Sequence, residues 1–211
     1  LDVSSEDFKN IDIVCDLNGI PNDPSSELNK KHTWEINYNG RKKFAEIAKR
    51  SGVKRYIFNS TCAVYGFNKN TVNESSRTNP LSTYAKANLK AEKAIYKMKS
   101  KNFKVNILRN STLFGFSQNL RLDLVINIFV NSLISTGNIS VDGDGKQWRP
   151  FISINDVSKI YEKIIAKGSL PSFIINLVAF NSTIKKLAFK IVKYFGKSKK
   201  NIKFVSKNKK Y

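Results

Sequence analysis

Tyr56-Ile57-Phe58-Asn59-Ser60-Thr61-Cys62-Ala63-Val64-Tyr65-Gly66 and, a polar loop later, Asn79-Pro80-Leu81-Ser82-Thr83-Tyr84 are the segments on which the reading of this chain turns. The first opens as an apolar run of strand length and breaks at serine, threonine and then glycine, as a buried strand does on entering a turn. The second sets a proline and a serine at the mouth of a long helical pattern, Ser82 to Lys99. Within that pattern Tyr84, Asn88, Ala91 and Ile95 recur at three or four residues and therefore share one helix face. A strand ending in Thr61 and a helix opening on Tyr84 bring a hydroxyl and a phenol to positions between which a carbonyl or an alcohol fits.

Outward from this pair, strand and helix signals alternate. Ile11 to Leu17 is a short apolar run ending near Gly19, which predicts a buried parallel strand. Thr33 to Arg50 predicts a helix stopped by Gly52, and Val53 to Asn59 the next strand. Further on the expected order is strand 105–108, helix 122–135, strand 151–154, helix 156–166, strand 173–178 and helix 184–195. Such alternation predicts an α/β fold with a mostly parallel sheet covered on both faces. Asp142, Asp144 and their glycines lack the later ligands of a calcium loop and read more simply as a hairpin turn.

Composition narrows the class. With 211 residues and 41% apolar content, the chain can bury one sizeable core or two lobes. The apolar stretch from Leu122 to Ile134 is interrupted by Asp123, Asn127, Asn131 and Ser132, so it is too short and too polar to span a bilayer about 30 Å thick. The first residues carry neither a basic start nor an apolar run, so no signal peptide is visible. Cys15 and Cys62 suit a reducing cytoplasm better than a disulfide framework. A net charge of +21 raises nucleic acid as a partner, but the lysines are spread over helix faces with no aromatic-interleaved basic motif, which weighs against it. Seven lysines between Lys197 and Lys210 form a basic tail, the one plausible polyanion contact, for which disorder is the plainer reading. His32, the only histidine, has no second ligand spaced near it, so no metal site is expected.

The Ser-Thr-Cys-Ala-Val-Tyr-Gly turn and the Pro-x-Ser-x-Tyr helix start resemble the catalytic segment of the extended short-chain dehydrogenase/reductase family, in its branch of nucleotide-sugar epimerases and dehydratases. The resemblance covers nearly the whole chain. It implies a Rossmann-type doubly wound sheet with a small C-terminal substrate-binding lobe. Residues 1–115 would be the C-terminal part of the NAD-binding domain. Residues 116–211 would be mainly the substrate lobe, with 172–179 a strand returning to the sheet and 197–211 the basic tail. No glycine-rich pyrophosphate turn is present, and Leu1-Asp2-Val3 looks like the family's third-strand motif, so the sequence is expected to begin inside the domain with its first two strands absent.

By the same resemblance, Asp2 and Val3 lie against the adenine, and Leu17, Asn18 and Gly19 sit at the strand end passing under the cofactor. Asn37, Asn59, Tyr84, Asn88 and Thr112 also fall at cofactor-lining positions, and Thr61, Arg121 and Arg149 at substrate positions. Arg149, in Gln147-Trp148-Arg149-Pro150-Phe151-Ile152, matches the arginine that meets the substrate diphosphate, for which bidentate geometry is the reason. The implied cofactor is NAD, with NADP left open, and the implied partner is a nucleotide-diphosphate sugar. Relatives also suggest a homodimer through the Ser82 to Lys99 helix.

In such enzymes the tyrosine takes the sugar hydroxyl proton while the Ser or Thr hydroxyl bonds the same oxygen, which assigns Tyr84 and Thr61. A free phenol titrates near 10, so only about one in a thousand is ionised at pH 7 and the site must stabilise the anion. A lysine four residues on does this in relatives; here that position is Asn88. Lys86 and Lys90 do not replace it, being about 160° and 120° away around the helix. Three readings follow: the oxidised cofactor supplies the charge, a cation is borrowed from elsewhere, or the chain is a binding-only relative. The Asp-Glu pair that follows the threonine in 4,6-dehydratases is replaced by Cys62 and Ala63, which favours C4 epimerisation or keto/hydroxyl redox over dehydration. Plainer roles stand beside each assignment: Thr61 as a turn cap, Tyr84 as a half-buried aromatic, Arg149 as a surface ion-pair partner and Cys62 as an inert packing residue.

Overall fold

The computed structural model describes residues 2–206. In chain order the strands and helices open with β1 (Ile13–Asp16), α1 (Asp23–Leu28), α2 (Lys30–Trp34) and α3 (Arg41–Arg50), followed by β2 (Arg55–Thr61), α4 (Thr83–Tyr96) and β3 (Lys104–Asn110). Then come β4 (Thr112–Phe114), α5 (Val125–Thr136), β5 (Ile139–Asp142), β6 (Trp148–Ser153), α6 (Ile154–Ala166), β7 (Phe173–Leu177), β8 (Phe180–Thr183), α7 (Ile184–Tyr194) and β9 (Ile202–Val205). The chain divides into two compact units, Leu1–Asn110 with Glu162–Leu177, and Ser111–Tyr161 with Val178–Tyr211.

The first unit is built on a parallel sheet of order β1-β2-β3-β7. β2 and β3 are buried along almost their whole length, as parallel strands covered by their crossover helices are, with apolar centres (Tyr56–Phe58, Ile107–Leu108) flanked by polar residues that find partners inside. Tyr56 and Phe58 of β2, Val105 and Ile107 of β3, Ala45 and Ala48 of α3 and Ala91 and Ile95 of α4 pack into one core. Small residues at the helix positions let α3 and α4 approach the sheet closely. The expected 172–179 strand is β7, which returns beside β3 in the register Leu108 to Ile175.

α4 starts where its sequence predicts. The Ser82 side chain accepts the Ala85 amide hydrogen, capping an otherwise unsatisfied donor. The predicted 33–50 helix is longer and less regular than expected: α2 and α3 are joined by a turn of π-helix, Glu35–Gly40. One extra residue in the turn shifts the register of the side chains that follow, a feature common at functional sites.

The second unit holds the sheet β4-β6-β8 and a separate parallel pair, β5 with β9. Phe129, Leu133, Val141, Phe151, Leu187, Ile191 and Ile202 form its core. Two expectations change here. The glycines at 143 and 145 adopt positive φ but do not close a hairpin, because β5 pairs with β9 while β6 pairs with β4 and β8. The stretch read as a disordered tail instead supplies β9, anchored by buried Ile202, and the basic positions from 207 onward lie outside the described residues.

Candidate active site

Three residues one turn apart on α4 organise the site. Tyr84 stands half-buried in the first turn, Asn88 is 1% exposed and Glu92 2% exposed. They lie at i, i+4 and i+8 and so face the same way.

Thr61 ends β2 with 8% exposure, and its Oγ1 accepts the Ala63 amide hydrogen at 3.1 Å, capping the 3-10 turn Cys62–Tyr65. A hydroxyl that accepts one bond keeps its hydrogen as a donor and a further lone pair. The cap and the candidate catalytic hydroxyl are therefore the same atom. Val64 and Tyr65 of this turn pack on Leu89 of α4, so the Thr61 turn is clamped to the helix that carries Tyr84. Gly66 closes it at φ 65°, where a Cβ would stand 1.9 Å from the Asn79 carbonyl oxygen, so that only glycine fits.

Asn88 is engaged inward. Its Nδ2 donates to the Tyr84 carbonyl at 2.8 Å, and its Oδ1 accepts from Nη1 of Arg41 at 2.9 Å. Arg41, 3% exposed, opens α3; its Nε donates to Asp16 Oδ2 at 2.9 Å, its Nη2 to the Asp16 and Asn59 carbonyls, and its guanidinium lies 3.7 Å above the Phe58 ring. Asp16 also accepts the Tyr56 hydroxyl at 2.8 Å and the Asn18 amide hydrogen. Burial, with the Asp16 carboxylate beside it, pushes the Tyr56 phenol far above its ordinary value, so it acts purely as a donor. Lys86 and Lys90 are exposed, and Lys90 Nζ sits 4.5 Å from the Tyr38 ring.

At the next turn, Glu92 accepts from Ser60 Oγ and from Nε and Nη2 of Arg109, whose Nη1 reaches the Tyr65 hydroxyl at 2.6 Å. Burial works to lower the Arg109 guanidinium, but the bond to Glu92 outweighs it and raises it well above the ordinary value. The Cys62 thiol donates to the Arg109 carbonyl, and burial pushes it up to about 12. Such a thiol stays protonated near neutrality and is a poor nucleophile.

The other predicted positions divide between the units. Asn37, fully buried, grips the backbone of Ile20 by accepting its N–H at 2.7 Å and donating to its carbonyl at 3.0 Å. Gly19, at φ 134°, lies so close that a Cβ would meet Asn37 Oδ1 at 3.1 Å. Leu17 is 65% exposed at the end of β1, Asn59 Oδ1 accepts from Asn110 Nδ2, Asp2 is exposed and Val3 packs at the core's edge. Thr112, Arg121 and Arg149 belong to the second unit. Thr112 pairs with Phe151; Arg121 bonds Asp123 and lines a cleft of about 140 Å³ with Gly115 and Asn127; Arg149 is exposed on β6 opposite Ser182.

The sequence motifs give no role to Arg41 or Glu92, and place Asp16 only as the first residue of the strand end Asp16-Leu17-Asn18-Gly19. A signal for Arg41 was present: Asn37, Arg41, Ala45 and Ala48 share a buried face, so position 41 carries a charge in an inward register. Among the described residues no three His, Cys, Asp or Glu side chains gather to hold a metal, and no helix is long and apolar enough to cross a membrane.

Residues 3–177 match the model of the "NAD dependent epimerase/dehydratase family". An uncharacterized UDP-glucose epimerase of Bacillus subtilis (strain 168) is 28% identical over 173 residues, 81% of this chain and 54% of that protein. A dTDP-D-glucose 4,6-dehydratase of Dictyostelium discoideum is 29% identical over 173 residues, covering 76% and 39%. The chain thus spans about half the length or less of these curated relatives. A solved UDP-N-acetylglucosamine 4-epimerase from Methanobrevibacter ruminantium M1, in complex with UDP-N-acetylmuramic acid, superposes with a TM-score of 0.85 at 25% identity, covering 97% of this chain and 67% of that one.

Proposed function

Because the chain belongs to the NAD dependent epimerase/dehydratase family, we propose that it contributes the catalytic half-site of a cytoplasmic NAD-dependent enzyme acting on a nucleotide-diphosphate sugar, by C4 epimerisation or by keto/hydroxyl redox. The observation that carries this reading is the clamping of the Thr61 turn onto α4 through Val64, Tyr65 and Leu89, one helix turn from Tyr84. The bare backbone at Gly19 and the exposed apolar side chain of Leu17 lie at the C-terminal end of β1, where α/β folds take their ligands, and they fit a flat dinucleotide. Leu17, Asn18, Gly19 and Asn59 would hold it there, with Asp2 and Val3 toward the adenine. When bound, the nicotinamide supplies the hydride acceptor.

In this reading the Tyr84 phenolate takes the proton of the sugar hydroxyl, and Thr61 donates a hydrogen bond to the same oxygen, holding it in line. Asn37 fixes the loop after β1 by both hydrogen bonds to Ile20, keeping Gly19 close enough for backbone contact. Cys62 and Ala63 offer neither acid nor base after Thr61, which argues against loss of water across C5 and C6. By the family resemblance alone, Arg121 and Arg149 of the second unit remain the candidate partners of a diphosphate. The test is to incubate the purified protein with NAD and UDP-glucose or UDP-N-acetylglucosamine and follow the C4 stereochemistry by proton NMR. Appearance of the C4 epimer, lost in Y84F, is the expected result. Cofactor retention without conversion of any nucleotide sugar would instead favour a binding-only relative.

A further inference from the structure

Position 88 carries an amide where the resemblance places a lysine, yet a cation is present at that amide. Arg41 reaches it from α3, its Nη1 2.9 Å from Asn88 Oδ1. We propose that Arg41 has taken over the cation position, so that an arginine at 41 and a lysine at 88 are alternative occupants of one place, and that Arg41 acts on Tyr84 through Asn88 as a positioning residue. The proposal rests on the reading of Tyr84 as proton acceptor.

Three observations support it. A guanidinium that is 3% exposed is costly to bury unless its donors are answered, and here Asp16, Asn59 and Asn88 answer them on three different elements. The ion pair is also oriented. Asp16 takes the Nε and Nη2 edge, while Nη1 points at Asn88, so the positive end is the one directed at α4. Finally, the contact is relayed: Asn88 accepts from Arg41 on its oxygen and donates to the Tyr84 carbonyl on its nitrogen, tying the first turn of the helix to the cation. A lysine at 88 would set an ammonium against this guanidinium in a site with almost no solvent, leaving the single Asp16 carboxylate to offset two cations, which is costly.

The experiment compares R41M, R41K, N88K and R41M/N88K by denaturant unfolding and by ultraviolet titration at 295 nm, the Tyr84 step being isolated by difference from Y84F. N88K is expected to unfold at markedly lower denaturant and the double variant to regain most of the loss, a strongly non-additive pair. In R41M the Tyr84 step moves to higher pH by about one unit. R41K keeps it within a few tenths, and kcat in R41M falls about tenfold with KM little changed. If R41M fails to fold, R41M/N88K carries the titration, because it is expected to fold and to hold the step at the wild-type pH. The proposal is overturned if N88K is as stable as the parent while Arg41 is present, or if removing Arg41 leaves the Tyr84 step in place. The titration needs no turnover. A shifted step in a protein that converts no nucleotide sugar sinks the functional reading alone, and turnover with an unmoved step sinks the Arg41 proposal alone.

Discussion

Two buried arginines meet α4 on successive turns, and the helix answers them in opposite ways. At Glu92 the helix supplies the anion, so Arg109 is neutralised directly, with Ser60 donating to the same carboxylate and the Tyr65 hydroxyl accepting from Arg109. At Asn88 the helix supplies only a dipole; the anion for Arg41 comes from Asp16 at the end of β1. The first arrangement locks helix to sheet. The second leaves the positive end of an ion pair turned toward the turn that bears Tyr84. The same chemistry, a guanidinium and a carboxylate, is thus arranged in two ways, and what distinguishes them is which element carries the negative charge.

E92Q keeps the shape of the side chain but leaves Arg109 without its anion in a buried site, and it should cost about 3–5 kcal/mol of stability, read from the denaturant midpoint. D16N should cost less, about 2 kcal/mol, because Arg41 retains the Asp16 and Asn59 carbonyls and the Asn88 oxygen. An inverted order, with D16N the more damaging, would mean that the Asn88 turn and not the Glu92 turn holds the unit together.

A smaller effect comes from Cys62, whose thiol touches the Arg109 carbonyl. Burial raises it to about 12 from an ordinary value of 9.0, so the folded chain holds this proton more tightly than the unfolded chain does. Its contribution is fully present below pH 9 and is lost as pH rises through the interval up to 12. Between pH 8 and pH 10 the stability difference between wild type and C62A should therefore shrink by about 1 kcal/mol. A difference independent of pH would show the thiol to be solvated.

Much of this arrangement is written in short-range pattern. The shared face of Tyr84, Asn88 and Ile95 follows from helical period alone, and the cap at Ser82 and the turn after Thr61 follow from residue type. Arg41 escaped because it opens the run Arg41-Lys42-Lys43, which has the composition of a solvated surface; only its register with Asn37, Ala45 and Ala48 separates it from its neighbours. Asp16 stands in the strand-end stretch Asp16-Leu17-Asn18-Gly19, but its pairing is invisible there because its partners lie 25 and 40 residues away. The β5–β9 pairing joins strands some 60 residues apart in parallel, which no local pattern records, so a pair of glycines at 143 and 145 looked like a hairpin. The π turn at Glu35–Gly40 is likewise silent in sequence, since a single inserted residue alters register without altering composition.

The most direct test of the account is a stopped-flow record at 340 nm, with the protein saturated with NAD and mixed with UDP-glucose. A rise in absorbance that is present in wild type and absent in Y84F is the predicted result. A flat trace from wild-type protein that demonstrably holds both ligands would contradict the assignment of Tyr84 and Thr61 to hydride chemistry.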